Sequence, residues 1–378
     1  MRSSDKRRAV ATACLLLTAI ASPTRATAQL QAKGFAADRF YPSAPGGGWF
    51  VMDALDMRGG LGGAAALTAS YARNPLRVRA SDGSQHLNVV SEHAIANFGF
   101  TATYDRFRLY LDLGMPLLIK GSSGTVGRYS FTGPEVDPGT DPDSLSDPRI
   151  GFDARLLGTA SGPFRLGAGA QLFVPNIFND TRDHYDTDGT YRAMGRVLFA
   201  GDLARFTYAG HLGVHLRPLD DAPSPGSPQG SEMLFGAAAG AKMPLGRDGT
   251  MALIVGPEVY GATAFKSFFG SDSTALEGLL TGRLEGTADD GAQMRVKLGP
   301  GIGMNHHFGA AEWRFVFGIE LFDRSTDRDS DGVSNSKDAC PDTPGMRTRD
   351  PRTNGCPAVN DPPRLVPEPE SPREPERL

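Results

Sequence analysis

Three features of this 378-residue chain predict an all-β fold, a transmembrane antiparallel β-barrel of about 12 strands (12–14). They are apolar/polar alternation, segments twice the ordinary strand length, and connections that alternate between short and long. Glycine occurs 47 times and proline 28 times. Glycine this frequent weakens helix interiors and suits turns and close-packed strands, which excludes a mainly helical fold. Beyond the amino terminus no stretch reaches the roughly 18 apolar residues of a spanning helix.

Residues 1–28 read as a secretory signal peptide. Arg2, Lys6, Arg7 and Arg8 precede the apolar run Ala9 to Ala21, and Ala26-Thr27-Ala28 is a small-x-small cleavage site. Its removal takes away five basic residues and one acid, so the formal charge falls from −4 to −8. That balance argues against nucleic acid as a partner. Cys340 and Cys356 survive cleavage, and an even pair in an exported chain reads as one disulfide.

Residues 29–46 form a short leader, read as periplasmic, in which Pro42, Pro45 and Gly46-Gly47-Gly48 are poor strand material. Residues 47–322 carry the barrel pattern. Phe107, Leu109, Leu111 and Leu113 alternate with Arg108, Tyr110 and Asp112. Trp313, Phe315, Phe317, Ile319 and Leu321 oppose Arg314 and Glu320. Period two places successive side chains on opposite faces of a strand. Thirteen segments fit: 47–58, 61–73, 87–104, 107–119, 149–160, 163–174, 190–200, 203–217, 231–244, 250–262, 275–287, 291–304 and 312–322. Ordinary strands run about 5 to 6 residues, whereas a tilted membrane strand needs roughly 9 to 11. Single-chain bacterial barrels have even strand numbers. Merging or losing one segment near 47–73 gives the preferred 12, and a strand in the leader would give 14.

Short turns fall at Asp105-Arg106, Ser161-Gly162, Gly201-Asp202, Arg247-Asp248-Gly249 and Asp289-Asp290-Gly291, with long polar loops between them. Outer-membrane barrels have short periplasmic turns and longer extracellular loops. A soluble sandwich has no reason to sort its loops in this way. Arg108, Arg155, Arg165, Arg192, Arg205, Arg283 and Arg295 are expected to face inward. There they would favour anions or pair with Asp112, Asp153, Glu277 and Glu285 and so plug the barrel.

The unit at 323–357 carries a metal motif. Counting Asp327 as one, carboxylates fall at 1, 3, 5 and 12 (Asp327, Asp329, Asp331, Asp338), with Gly332 at 6 and Asn335 at 9. Val333 at position 7 offers its carbonyl. This spacing wraps six to eight oxygen ligands round Ca²⁺, and the glycine permits the sharp turn. Asp338-Ala339-Cys340-Pro341 and Asn354-Gly355-Cys356-Pro357 follow. The unit resembles the thrombospondin type 3 repeat of OmpA-like outer-membrane proteins, in which such repeats join a barrel to a peptidoglycan-binding domain. Asp38-Arg39-Phe40, Tyr71-Ala72-Arg73-Asn74-Pro75-Leu76 and Asp147-Pro148-Arg149 also look like family segments. The resemblance implies that Asp327, Asp329, Asp331 and Asp338 are side-chain ligands and that Cys340 bridges Cys356. Closing a loop of about 15 residues would stabilise so small a unit by roughly 3 kcal/mol.

The family's carboxy-terminal peptidoglycan-binding domain is expected to be absent. Residues 358–378 are instead rich in Pro, Glu and Arg and read as a disordered, extended tail. The expectation is therefore a non-enzymatic protein of the bacterial outer membrane, with repeat and tail in the periplasm. Its partners are outer-membrane lipid and, through the tail, periplasmic or cell-wall components. A structural, envelope-organising role is favoured. A porin-like channel for small solutes and a lipid-modifying barrel enzyme are the alternatives.

Overall fold

The computed structural model describes residues 30–57, 60–137, 145–175, 182–219, 229–245, 251–287, 293–305, 309–322, 329, 331, 333, 337–341 and 343–358. Twelve long strands build the barrel. They are β1 (Leu61–Arg79), β2 (His86–Tyr104), β3 (Phe107–Lys120), β4 (Arg149–Leu157), β5 (Arg165–Phe173), β6 (Arg192–Leu203), β7 (Phe206–Leu216), β8 (Glu232–Leu245), β9 (Met251–Ala264), β10 (Thr274–Thr287), β11 (Gln293–Gly303) and β12 (Trp313–Phe322). Each pairs antiparallel with its neighbour in sequence. The sheet closes where β12 pairs with β1, from Trp313↔Arg73 to Phe322↔Ala64. Closure leaves no unpaired edge, which is what a sheet in hydrocarbon requires.

The alternation sorts side chains as the pattern demands. On β7, Phe206, Leu212 and Leu216 are exposed outward, while Thr207, His211 and His215 are buried inward. Aromatic side chains gather at both rims. Tyr104, Phe107, Phe152 and Phe206 lie at the short-turn end, and Tyr71, Trp313 and Phe268 at the long-loop end. An apolar belt between two aromatic girdles is the signature of an outer-membrane barrel.

The strand expected over 47–58 does not exist. Trp49, Phe50, Val51 and Met52 are all buried, at 0–4 % exposure, so this run is apolar on every side. A barrel strand alternates apolar and polar side chains, and Trp49 to Met52 does not. Residues 32–57 instead run through the lumen. Its one bridge is internal, Gly48↔Asp53, and Gly46 and Gly48 take positive φ there. The leader read as periplasmic thus belongs to the barrel interior, and the strand count is 12. A second correction concerns the turn at Gly201-Asp202. Both residues pair within β6, and the turn falls at Ala204-Arg205, which leaves Arg205 exposed rather than inward.

The barrel interior is a hydrophobic core. Trp49, Phe50, Met52, Leu55 and Met57 pack against Leu198, Ala238, Ile254, Tyr260, Leu279 and Val316 of the wall. A second apolar cluster caps the long-loop end. Ala32 and Phe35 meet Leu76, Val90, Ile119, Phe131 and Tyr185 there, and Leu30–Gln31 pairs in parallel with Tyr129–Ser130 of the loop after β3.

Candidate functional site

The lumen is the candidate site, and its chemistry is set by polar wall residues that grip the inner segment at every depth. At the long-loop end, Asp188 accepts from the Ala36 amide at 2.8 Å and pairs with Arg217 at 2.6 Å. Arg39 reaches Glu232 on β8 at 3.0 Å. Deeper in, Arg314 on β12 joins Asp38 at 2.7 Å to Glu277 at 2.8 Å. At mid-depth the buried Glu258 carboxylate accepts the backbone N–H groups of Phe50 and Val51 at 2.9 and 3.0 Å. Lys297 donates to the Trp49 carbonyl at 3.2 Å and pairs with Glu320 at 2.6 Å. Towards the short-turn end Arg108 bridges Asp53 and Asp153, Arg295 meets Asp56 at 3.0 Å, and Arg155 donates to the Met57 carbonyl at 2.9 Å.

Inward arginines therefore do pair with wall carboxylates. Arg108 meets Asp153, Arg295 and Arg283 both meet Glu285, and Asp112 faces Arg149 at 3.5 Å. Pairing is what lets so many charges be buried, because an unpaired ion costs several kcal/mol to desolvate. What sequence reasoning missed is the other half of the network: Asp38 comes from the leader, and Asp53 and Asp56 from the segment 47–58 expected to be a strand, not from the wall. Gly-Gly-Gly followed by Trp49-Phe50-Val51-Met52, with no polar alternation, was the available signal that this stretch is core rather than strand.

A cavity of about 70 Å³ remains between the inner segment and the wall at the long-loop half of the lumen. It is lined by Ala36, Asp38 and Phe40 to Pro42, by residues of β2 and β3, and by the loop residues Ser146, Asp147 and Asp186. Asp147 pairs with Arg192 at 2.8 Å. Asp186 accepts from the Ser146 hydroxyl at 3.1 Å, and its Oδ1 is buried without a hydrogen-bond partner among the described residues. Burial, with the nearby Asp147 adding to it, pushes the Asp186 carboxyl up to about 7. Asp188 is buried too, but the Arg217 and Arg192 guanidiniums outweigh that burial and hold its carboxyl well below the usual range.

Of the residues predicted to bind metal, Asp327 and Asn335 lie outside the described residues. Asp329, Asp331 and Asp338 converge, each offering a carboxylate oxygen within 4.8 Å of the others. Asp331 also accepts from the Val333 and Gly345 amides, and Val333 is buried. The Asp338 Oδ2 is buried with no hydrogen-bond partner among the described residues. Oxygens converging with one carboxylate left unsatisfied fit a hard divalent cation. Cys340 and Cys356 form a disulfide, with an S–S distance of 2.03 Å.

No protein-family model and no curated protein matches the chain. Among solved structures it is similar to an outer-membrane channel of Pseudomonas putida F1, at 12 % identity over 70 % of this chain and 95 % of that one, with a TM-score of 0.45. It is also similar to the NanC porin (6 % identity, 69 % and 99 % coverage, TM-score 0.39). A third likeness is the β domain of the Bordetella autotransporter BrkA (12 % identity, 68 % and 98 % coverage, TM-score 0.37). The chain's own closed sheet, greasy exterior and aromatic rims define its class: it is an outer-membrane β-barrel.

Proposed function

We propose that the protein is an outer-membrane channel for small solutes whose lumen is closed at rest by residues 32–57. One observation carries this reading in preference to the purely structural role. The inner segment is held by side chains and single hydrogen bonds, and no described residue of 32–57 joins the barrel's ladder. Its withdrawal would leave an unbroken 12-strand cylinder lined by Arg108, Glu258, Glu277, Lys297, Arg314 and Glu320. A wall so charged suits water and polar solutes. Closure is nonetheless firm, because burying Trp49, Phe50, Met52 and Leu55 contributes roughly 1.5–3 kcal/mol each.

Planar-bilayer conductance tests the reading. The intact protein should show rare, brief openings, and a variant lacking residues 32–57 should show steady open steps. A variant that lacks the segment, folds by heat-modifiable gel mobility and still passes no current overturns it.

The repeat supports a second component of the proposal. The convergent carboxylates of Asp329, Asp331 and Asp338 favour Ca²⁺ bound in a unit like the thrombospondin type 3 repeat, with Asp327, Asn335 and the Val333 carbonyl completing the shell. Short turns face the periplasm in outer-membrane barrels. Phe322 pairs with Ala64 at that end, which supports a periplasmic repeat and a tail able to reach cell-wall components.

A further inference from the structure

The cavity at the long-loop half of the lumen has a charge balance that neither the resting closure nor the calcium unit uses. Four carboxylates (Asp38, Asp112, Asp147, Asp186) line it against two guanidiniums (Arg149, Arg192) and one imidazole (His93). Asp38 is answered by Arg314, Asp112 by Arg149, and Asp147 by Arg192. Asp186 makes no ion pair with any described residue. It is only 9 % exposed, and its Oδ1 has no hydrogen-bond partner among the described residues. The Tyr41 hydroxyl beside the cavity is buried and unpartnered in the same sense. Phe40, Phe173 and Ile95 supply its apolar surface, beside the uncharged polar groups of Asn97 and Ser146.

We propose that this cavity binds a small organic ammonium ion, with Asp186 as its counter-ion. An ammonium offers N–H donors to Asp186 and to the Tyr41 oxygen, while its short alkyl part meets Ile95 and Phe173. Aromatic faces favour such a cation. A bare alkali ion would have to exchange its water for many oxygens, and rings and N–H groups do not replace them. Size sets the class. The cavity's volume of about 70 Å³ is several times the ~10–15 Å³ that one water needs on the same measure, which leaves room for a cation of a few heavy atoms. Burial holds the Asp186 carboxyl up to about 7, with Asp147 and Arg192 facing it from the wall and Asp38 and His93 across the cavity. Cation binding therefore competes with a proton at Asp186, and it strengthens as pH rises through about 7.

The inference rests on the channel reading only in that it gives the solute its charge. The binding site itself is testable without current. Ethylammonium chloride is titrated calorimetrically into the full chain in detergent, with potassium chloride as the ionic-strength control. A single saturable site is expected at pH 8 and weaker binding at pH 6. D186N should weaken binding about tenfold or more, the worth of one charge-assisted hydrogen bond, while D183N, at an exposed position, leaves it unchanged. Gel mobility confirms that each variant is folded. Absence of a saturable site, equal binding by D186N, or equal heats with potassium (a water-filled cavity only) overturns the proposal. Loss of conductance with this binding intact would instead count against the channel alone.

Discussion

Glu258 is a wall residue that accepts consecutive backbone amides of the inner segment, and E258A isolates its contribution. The carboxylate is fully buried, accepts the Phe50 and Val51 amides and, at a longer 3.4 Å, the Met52 amide, and also accepts from the Thr281 hydroxyl. Truncation strands the two closely bonded amides of Phe50 and Val51 in the lumen, where no described side chain replaces the lost acceptor. At about 1–3 kcal/mol for each buried donor left unsatisfied, the inner segment loses roughly 2–6 kcal/mol. The β9 backbone pairs with β8 and β10 on either side of residue 258, so the ladder itself survives. E258Q keeps one acceptor oxygen and should lose about half as much. The assay is thermolysin cleavage of folded protein in detergent, scored by loss of the amino-terminal segment, alongside bilayer current. Cleavage rate and open time should rise in the order wild type, E258Q, E258A, with the barrel's heat-induced mobility shift unchanged. Identical cleavage in all three would refute the view that Glu258 holds the segment in place.

A methyl group at Gly256 would sit 1.9 Å from the Ala239 carbonyl and 2.5 Å from the Gly240 Cα. G256A should therefore cost about 1–3 kcal/mol through overpacking and lower the folded fraction on refolding gels. Asp329→Ala removes one of three converging carboxylates, so calcium titrated into the full chain should bind at least about tenfold more weakly; unchanged affinity counts against the site. At the long-loop cap, the contribution of Asp186, whose carboxyl is raised, is fully present below its unfolded value near 3.9 and is lost as pH rises through about 7. Asp188, held low, contributes fully above its unfolded value and loses that contribution as pH falls below it. Thermal unfolding should show the cap most stable near pH 4–5, and D186N should flatten only the loss at higher pH.

Most of the barrel was readable because period-two alternation is imposed by the membrane itself. Phe206 through Leu216 must show lipid one face and the lumen the other, and β7 does so residue by residue. The same logic failed where the solvent on both faces is protein. Trp49 to Met52 looked like a strand because it is apolar, yet it is buried all round and carries no alternation. Ion pairs such as Arg314 with Asp38, 276 residues apart, leave no local trace in a sequence. Asp38 drew notice only as part of a family-like segment. Asp186 stands between Asp183 and Asp188 in a polar stretch of sequence, and its burial comes from Ser146 and the inner segment closing over it. The convergence of Asp329, Asp331 and Asp338 was legible for the opposite reason: these residues are neighbours in the sequence.

Hydrogen exchange of the backbone amides of residues 48–57, in protein reconstituted in lipid, bears most directly on the claim that this segment fills the lumen. The structure predicts protection of the Phe50, Val51 and Ala54 amides comparable to that of the strands around them. Exchange at the rate of an unstructured chain, while β7 to β10 stay protected, would mean that the cylinder stands open and that the inner segment does not close it.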